Sequence, residues 1–157
     1  MSPPVVAFWL KKALEETARE GKSIVTSGYL RTIYEVEELI PVFKKLFSLK
    51  NIKVVVISLS EKETIFRNSH RKTCQLMRHP VVFTPETAKL TKCSLDNSNL
   101  IARSDDDPET IKTRLEEYRE RTFPIIKLLE KEGLRIRKVN GSPPPAAVFK
   151  SILKVLK

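Results

Sequence analysis

Lys53-Val54-Val55-Val56-Ile57-Ser58-Leu59, followed at once by Ser60-Glu61-Lys62-Glu63, decides the fold class. The first seven residues form a continuous apolar, β-branched run, the pattern of a parallel strand covered on both faces. Ser60 stands three residues before Glu63, the spacing of a capping box, and predicts a helix running to about residue 72. Outward from this pair the same alternation recurs. Ser23-Ile24-Val25-Thr26-Ser27-Gly28 reads as a short strand entering a loop, and residues 32 to about 49 return to helical spacing, with a bend or interruption expected at Pro41. Pro3-Pro4 ahead of Val5, Val6, Phe8, Trp9, Leu10, Ala13, Leu14 and Ala18 opens an amphipathic helix that Gly21 stops. Asp107-Pro108-Glu109 opens a long helix with acidic residues where the helix dipole favours them, and Pro124 is expected to kink it or split it in two. Leu134-Arg135-Ile136-Arg137-Lys138-Val139 reads as a third strand, and Ser142-Pro143 starts a closing helix ending at Leu156. Alternating strands and helices predict an α/β fold with a parallel sheet. Between residues 73 and 102 the periodicity disappears, which predicts an inserted subdomain within one domain of residues 1–157.

A length of 157 residues suits one domain with its own core, and an apolar fraction of 41% is globular rather than disordered. No apolar run approaches the ~20 residues of a membrane span, and Met1-Ser2-Pro3-Pro4 lacks the basic start of a signal peptide. The expectation is a soluble, cytoplasmic protein with no membrane partner. Cys74 and Cys93 are too few for a disulfide scaffold. The net charge of +10 favours polyanionic partners, meaning nucleic acid, nucleotide phosphates or anionic lipid. It is spread along the chain and forms no basic tail, so composition leaves the partner open.

Three stretches narrow it. Gly28-Tyr29-Leu30-Arg31-Thr32 follows the first expected strand and opens a helix. Arg67 and Arg71 lie four apart on one helical face. Arg103-Ser104-Asp105-Asp106-Asp107-Pro108-Glu109-Thr110-Ile111-Lys112-Thr113-Arg114-Leu115 adds two more arginines with carboxylates between them. Taken singly, each arginine is most simply an exposed, solvated side chain. Five in this order are not simply explained so.

The order and spacing resemble the adenylate kinases, in which a strand ends in Asp-Gly-Phe-Pro-Arg-Thr and an Arg-x-Asp-Asp…Glu-Thr…Arg-Leu segment closes a lid. Glu117-Tyr118, Thr122-Phe123-Pro124-Ile125-Ile126 and Lys138-Val139-Asn140-Gly141 resemble further segments of that family, so the likeness covers essentially the whole chain. It implies a three-layer, P-loop-kinase-like parallel sheet flanked by helices, carrying an inserted lid. It also implies the reaction ATP + AMP = 2 ADP, with magnesium brought by the nucleotide and adenine nucleotides as partners. By the resemblance Gly28, Arg31 and Glu35 would lie at the AMP site. Arg71, Arg103 and Arg114 would gather on the transferred and donor phosphates, and Arg67 would lie against the donor adenine. The chemistry suits them, because phosphoryl transfer is positioning plus electrostatic stabilisation and guanidinium forks grip phosphate oxygens in pairs.

One part of the family pattern has no counterpart. The chain has four glycines, Gly21, Gly28, Gly133 and Gly141, and none belongs to the G-x-x-x-x-G-K loop whose amides cradle phosphate. The first strand and that loop are expected upstream of Met1, leaving two strands that close up on one another or accept a strand from a second chain. Ser27 stands where the family has an Asp that organises magnesium, Leu30 where it has Pro, and Glu35 where it has a Gln that reads adenine. A chain of this kind is expected to be truncated or degenerate and inactive alone. The competing readings are a non-catalytic nucleotide- or RNA-binding module and a subunit completed by a separate P-loop chain. RNA is disfavoured because no stacking aromatics accompany the arginines in sequence.

Some adenylate kinases hold a structural zinc in the lid through two Cys-x-x-Cys or Cys-x-x-Asp pairs. Here Cys74-Gln75-Leu76-Met77 and Cys93-Ser94-Leu95-Asp96 keep Cys74, Cys93 and Asp96, while His79 offers a fourth ligand from a shifted position. An incomplete motif more often marks a lost site than a rebuilt one, so zinc is not the expected state.

Overall fold

The computed structural model describes residues 3–103 and 106–157; Met1, Ser2, Ser104 and Asp105, quoted above in the opening tetrapeptide and the acidic loop, lie outside the described residues. The chain divides into two compact units, one of the residues up to Ser58 with Glu117–Lys157, the other of Leu59–Glu116.

In the first unit, helix α1 (Pro3–Arg19) packs on α2 (Ile33–Phe47), and α2 on α5 (Phe123–Lys131). Apolar residues at helical spacing make the contact: Ala7, Leu10 and Leu14 from α1 meet Val36, Leu39, Ile40 and Phe43 from α2, and Ile125, Leu129 and Leu134 complete the core. Leu14 and Leu39 are 0% exposed. The break expected at Pro41 does not occur, since α2 runs through it. Pro41 and Glu37, whose carbonyl loses its donor, both lie on the exposed face, so the vacant acceptor is on the solvent side while the opposite face stays packed.

The sheet of this unit is one parallel pair, β1 (Val54–Ser58) with β5 (Ile136–Asn140), in the register Val54↔Ile136 to Ser58↔Asn140. Ile136 packs on the helical core. Val139, three residues on and therefore on the other face, is also buried. Helices α5 and α6 (Pro145–Leu156) pack against β5. The result is an α/β fold with a parallel sheet flanked by helices. Two expectations need correcting. The strand expected at residues 23–28 is not formed: residues 22–27 are in no strand, and Val25 is 95% exposed. Nor is β1 covered on both faces, since Val54, Val55 and Val56 are half-buried and Ile57 is exposed. The first has a plain cause: a strand needs a hydrogen-bonding neighbour, and among the described residues β1 pairs only with β5.

The second unit opens with α3 (Glu61–His70), capped by Ser60 Oγ, which accepts from Glu63 N at 3.2 Å. Glu63 does not return the bond; its carboxylate pairs with Arg67. Strands β2 (Lys72–Cys74), β3 (Pro80–Val81) and β4 (Leu100–Ala102) form an antiparallel sheet in the order β3-β2-β4. Helix α4 (Pro108–Glu117) follows, capped by Asp107 Oδ1, which accepts from Thr110 N at 3.0 Å. The split expected at Pro124 is present: α4 gives way to a π-helical turn, Tyr118–Thr122, before α5 begins with Pro124 in its first turn. No helix among the described residues is long and apolar enough to cross a membrane.

Candidate functional site

The Gly28–Arg31 loop is built on the N-terminus of α2. Thr32 Oγ1 accepts from Glu35 N at 3.2 Å, while Glu35 Oε2 accepts from Thr32 N at 3.1 Å and from Arg31 N at 2.6 Å. This is the reciprocal capping box that sequence spacing placed at Ser60. Glu35 is accordingly buried, its carboxylate turned onto the loop's own amides. Two residues ahead of Thr32, Leu30 takes a left-handed backbone at φ 58°. Gly28 has φ 85°, a backbone that strains any other residue, and a Cβ there would stand 3.2 Å from Arg31 Nη2, so the guanidinium folds closely over it. Thr122 Oγ1 donates to Arg31 O at 3.4 Å. Gly28, Arg31 and Glu35 are thus one local assembly.

The second unit gathers a different set. Arg71 ends α3 and donates from Nε to Asp106 Oδ2 at 3.1 Å and from Nη2 to Oδ1 at 2.7 Å, a bidentate fork. Arg114, on α4, brings Nη1 to 3.9 Å from the same Oδ1. The Asp106 side chain is 2% exposed, against 27% for Arg71 and 50% for Arg114. One buried carboxylate therefore meets two arginines, Arg71 through a bidentate fork and Arg114 at ion-pair distance. Arg103 joins them through the backbone, its carbonyl accepting from Asp106 N at 3.3 Å. Arg67 donates from Nε to Glu63 Oε1 at 2.5 Å.

The two cysteines lie in a second cluster of this unit. The ligand atoms of Cys74, His79, Cys93 and Asp96 all lie within 4.8 Å of one another. Cys74 Sγ is 3.0 Å from Asp96 Oδ2, His79 Nδ1 is 3.5 Å and 3.6 Å from the two sulfurs, and it is 3.3 Å from Asp96 Oδ2. A tetrahedron drawn with zinc–sulfur and zinc–nitrogen or –oxygen bond lengths has edges of about 3.3–3.8 Å, so the four donors need only small adjustments to enclose an ion. Hydrogen bonds prepare the site. His79 N donates to Cys74 Sγ at 3.1 Å, and Ser98 Oγ and N donate to Asp96 Oδ1 at 2.7 Å and 3.0 Å, leaving Oδ2 for the cluster. The Ser98 hydroxyl, then the Cys74 thiol and the Ser98 amide, hold the Asp96 carboxyl far below the usual carboxylate range. Met77, where a second Cys-x-x-Cys ligand would stand, is 63% exposed.

Sequence reasoning gave no role to Asp106 or Ser98. Asp106 was visible as the second Asp of the Arg-x-Asp-Asp match, with no role of its own, and Ser98 only as a serine two residues past a possible ligand. The structure also places three rings together, Phe66, His70 and Phe83, with centroids 4.4 Å, 5.0 Å and 5.5 Å apart. Phe66 and His70 stand four apart on α3, a spacing that could have revealed the pair.

No protein-family profile matches the chain. Curated relatives do. The adenylate kinase of Desulforamulus reducens is 30% identical over 156 residues, which is 98% of this chain and 71% of that protein. The adenylate kinase of Shouchella clausii is 34% identical over 151 residues, 94% of this chain and 67% of the relative. That of Borreliella burgdorferi is 27% identical over 155 residues, 98% of this chain and 70% of its own length. An arginine-bearing α/β chain that aligns almost end to end with these proteins, while spanning about seven-tenths of their length, belongs to the adenylate kinase family.

Proposed function

We propose that this chain binds adenine nucleotides and supplies the arginine side of the site for ATP + AMP = 2 ADP, without turning over by itself. The observation that carries the proposal is the convergence of Arg71 and Arg114 on buried Asp106, in a sequence with no G-x-x-x-x-G-K loop. Asp106 fixes the Arg71 fork and draws Arg114 toward it, and the two guanidinium groups meet the phosphates of the donor nucleotide. Charge that develops on the transferred group is thereby met without reorganisation. Arg103 joins this set, Arg67 lies against the donor adenine, and Arg31 with Gly28 takes the phosphate of the acceptor. Glu35 acts there by holding the Arg31 loop, its carboxylate being engaged with the amides of Arg31 and Thr32. Magnesium arrives with the nucleotide.

The phosphate cradle comes, in this reading, from another polypeptide segment that also adds a strand to the first unit. The edge of β1 that pairs with no strand among the described residues, the exposed Ile57 and Val25, and the outward Phe149 and Leu153 of α6 are the surfaces such a segment would cover. The cysteine cluster holds a structural zinc: four protein ligands from two sulfurs, one nitrogen and one oxygen make a closed site rather than one with an open catalytic position.

Coupled measurement of ADP formation from ATP and AMP with magnesium tests the activity. The isolated chain is expected to bind ATP and form no measurable ADP; turnover that depends on Arg103 would overturn the incomplete-site reading. A second reading, a non-catalytic RNA-binding module, is favoured by the ring cluster Phe66–His70–Phe83 on the arginine-bearing unit. Competition separates the two, since ATP displaces a single-stranded RNA only if both use the arginine cluster.

A further inference from the structure

The two clusters of the second unit sit at opposite ends of one short ladder. Strands β2 and β4 pair at only three positions, Lys72↔Ala102, Thr73↔Ile101 and Cys74↔Leu100. At one end, Cys74 is itself a member of the thiol–imidazole–carboxylate cluster. The partners Cys93 and Asp96 are bound into the approach to β4: Cys93 N donates to Ser98 O at 2.8 Å, Ser98 holds Asp96, and Gln75 N donates to Asn99 O at 2.9 Å. At the other end, continuing the register by one residue sets Arg71 opposite Arg103, with Asp106 beyond it accepting the Arg71 fork.

A three-pair antiparallel ladder is weak by itself, and its register matters more than its strength. A slip of one residue reverses the face of every side chain, so Arg71 and Arg103 would no longer stand across from each other. Nothing in the sequence of β2 opposes a slip through side-chain pattern alone, since Lys72-Thr73-Cys74 and Leu100-Ile101-Ala102 are too short for one. An ion bound between Cys74 and the Cys93–Asp96 turn does oppose it, because both strands are then anchored at one level. We propose that metal occupancy locks the β2–β4 register and so fixes the spacing of Arg71 and Arg103, setting the affinity of a phosphate grip that the ion never touches. The proposal rests on the zinc and arginine readings above. Its two states are the ladder in register and the ladder frayed from the metal end.

The test uses the full chain in metal-free form and with one equivalent of zinc, and reads three quantities. These are zinc stoichiometry, hydrogen exchange at the amides of residues 72–74 and 100–102, and affinity for magnesium–ATP. Zinc is expected to bind one to one, slow those amides by about tenfold or more, and tighten ATP by about fivefold or more, the usual scale of coupling between two sites. Cys93→Ser should abolish all three responses, while Ser98→Ala should weaken zinc by about tenfold and shift the ATP response to correspondingly higher zinc. Zinc that binds and slows exchange but leaves ATP affinity unchanged overturns the coupling while the metal reading stands. Failure to bind zinc overturns both. Failure to bind ATP in either state overturns the arginine grip and the coupling built on it.

Discussion

Asp106→Asn tests how much of the arginine cluster depends on one carboxylate. The native group receives two donors from Arg71, at 2.7 Å and 3.1 Å, and lies 3.9 Å from Arg114. Two unit charges about 4 Å apart attract by about 4 kcal/mol at the effective dielectric of a partly buried site. Burying the carboxylate offsets several kcal/mol of that. Asparagine keeps the shape but not the charge, and its amide cannot accept at both positions, so one of the two charge-assisted bonds is lost and the other weakened. Each such bond is worth about 1.5–3 kcal/mol when one partner is removed. Arg71 is 27% exposed and recovers part of this by hydration. The net loss expected is about 2 kcal/mol, felt in the second unit. Native-state hydrogen exchange at the β2 and α4 amides measures it locally, and a double-mutant cycle with Arg71→Gln isolates the pair, with an expected coupling of about 1–3 kcal/mol. A coupling below about 0.5 kcal/mol would place the Arg71–Asp106 pair at the level of ordinary surface pairs and deny Asp106 an anchoring role. ATP affinity in Asp106→Asn should fall as well, because the forks then have no fixed direction.

Other sites give independent checks. At Leu30 the left-handed backbone should make Leu30→Gly more stable than Leu30→Ala by about 1 kcal/mol in urea unfolding, the reverse of the order at ordinary positions. Leu30→Pro, although it restores the family's residue, should destabilise more than either, because proline cannot reach φ 58°. Leu39→Ala, at a position 0% exposed between α1 and α2, should cost about 3 kcal/mol, whereas Phe149→Ala at 60% exposure should fall within about 0.5 kcal/mol of the parent. Asp107 is held below its ordinary pKa of 3.8 by the Thr110 hydroxyl first and the Thr110 amide next. Its stabilisation of α4 is therefore full above that value and lost as pH falls through the lower folded one, so exchange of the α4 amides should accelerate in acid for the parent and show less of that dependence in Asp107→Asn.

Features set by local chemistry were legible in the sequence. The α1, α2 and α4 helices follow from apolar spacing and from caps that can be named, and β1 from its run of valines. What misled was each inference that depended on a neighbour. Residues 23–28 have strand chemistry, yet a strand exists only when something pairs with it, and no described segment does. Pro41 looked like a break because local rules ignore which face it occupies; on the exposed side of a well-packed helix its lost hydrogen bond is tolerable. For the cysteine cluster, the motif lacked a ligand at Met77, and only the fold shows that the β2–β3 turn carries His79 Nδ1 to within 3.6 Å of both sulfurs. Sequence could give the donor types but not the turn.

Order and spacing single out the arginines, whereas Asp106, which lies against two of them, appears in the same motif with nothing to mark it as their anchor. That asymmetry has a physical origin. A phosphate-gripping arginine must be a long, permanently charged fork, so few residue types can replace it and its identity is informative. An anchoring carboxylate is defined by burial and by what it faces, and neither is written at its own position. Asp106 and Asp107 are adjacent and chemically alike, yet one is buried beneath two guanidinium groups and the other caps α4 in solvent. The same logic applies to the open edge of β1. Its Ile57 reads in sequence as ordinary strand core, and only the fold, in which β1 pairs with β5 alone among the described residues and Ile57 is exposed, reveals a surface that a completing segment can cover. If such a segment restores turnover, Arg71 should need little rearrangement, because Asp106 already holds its fork before any nucleotide arrives.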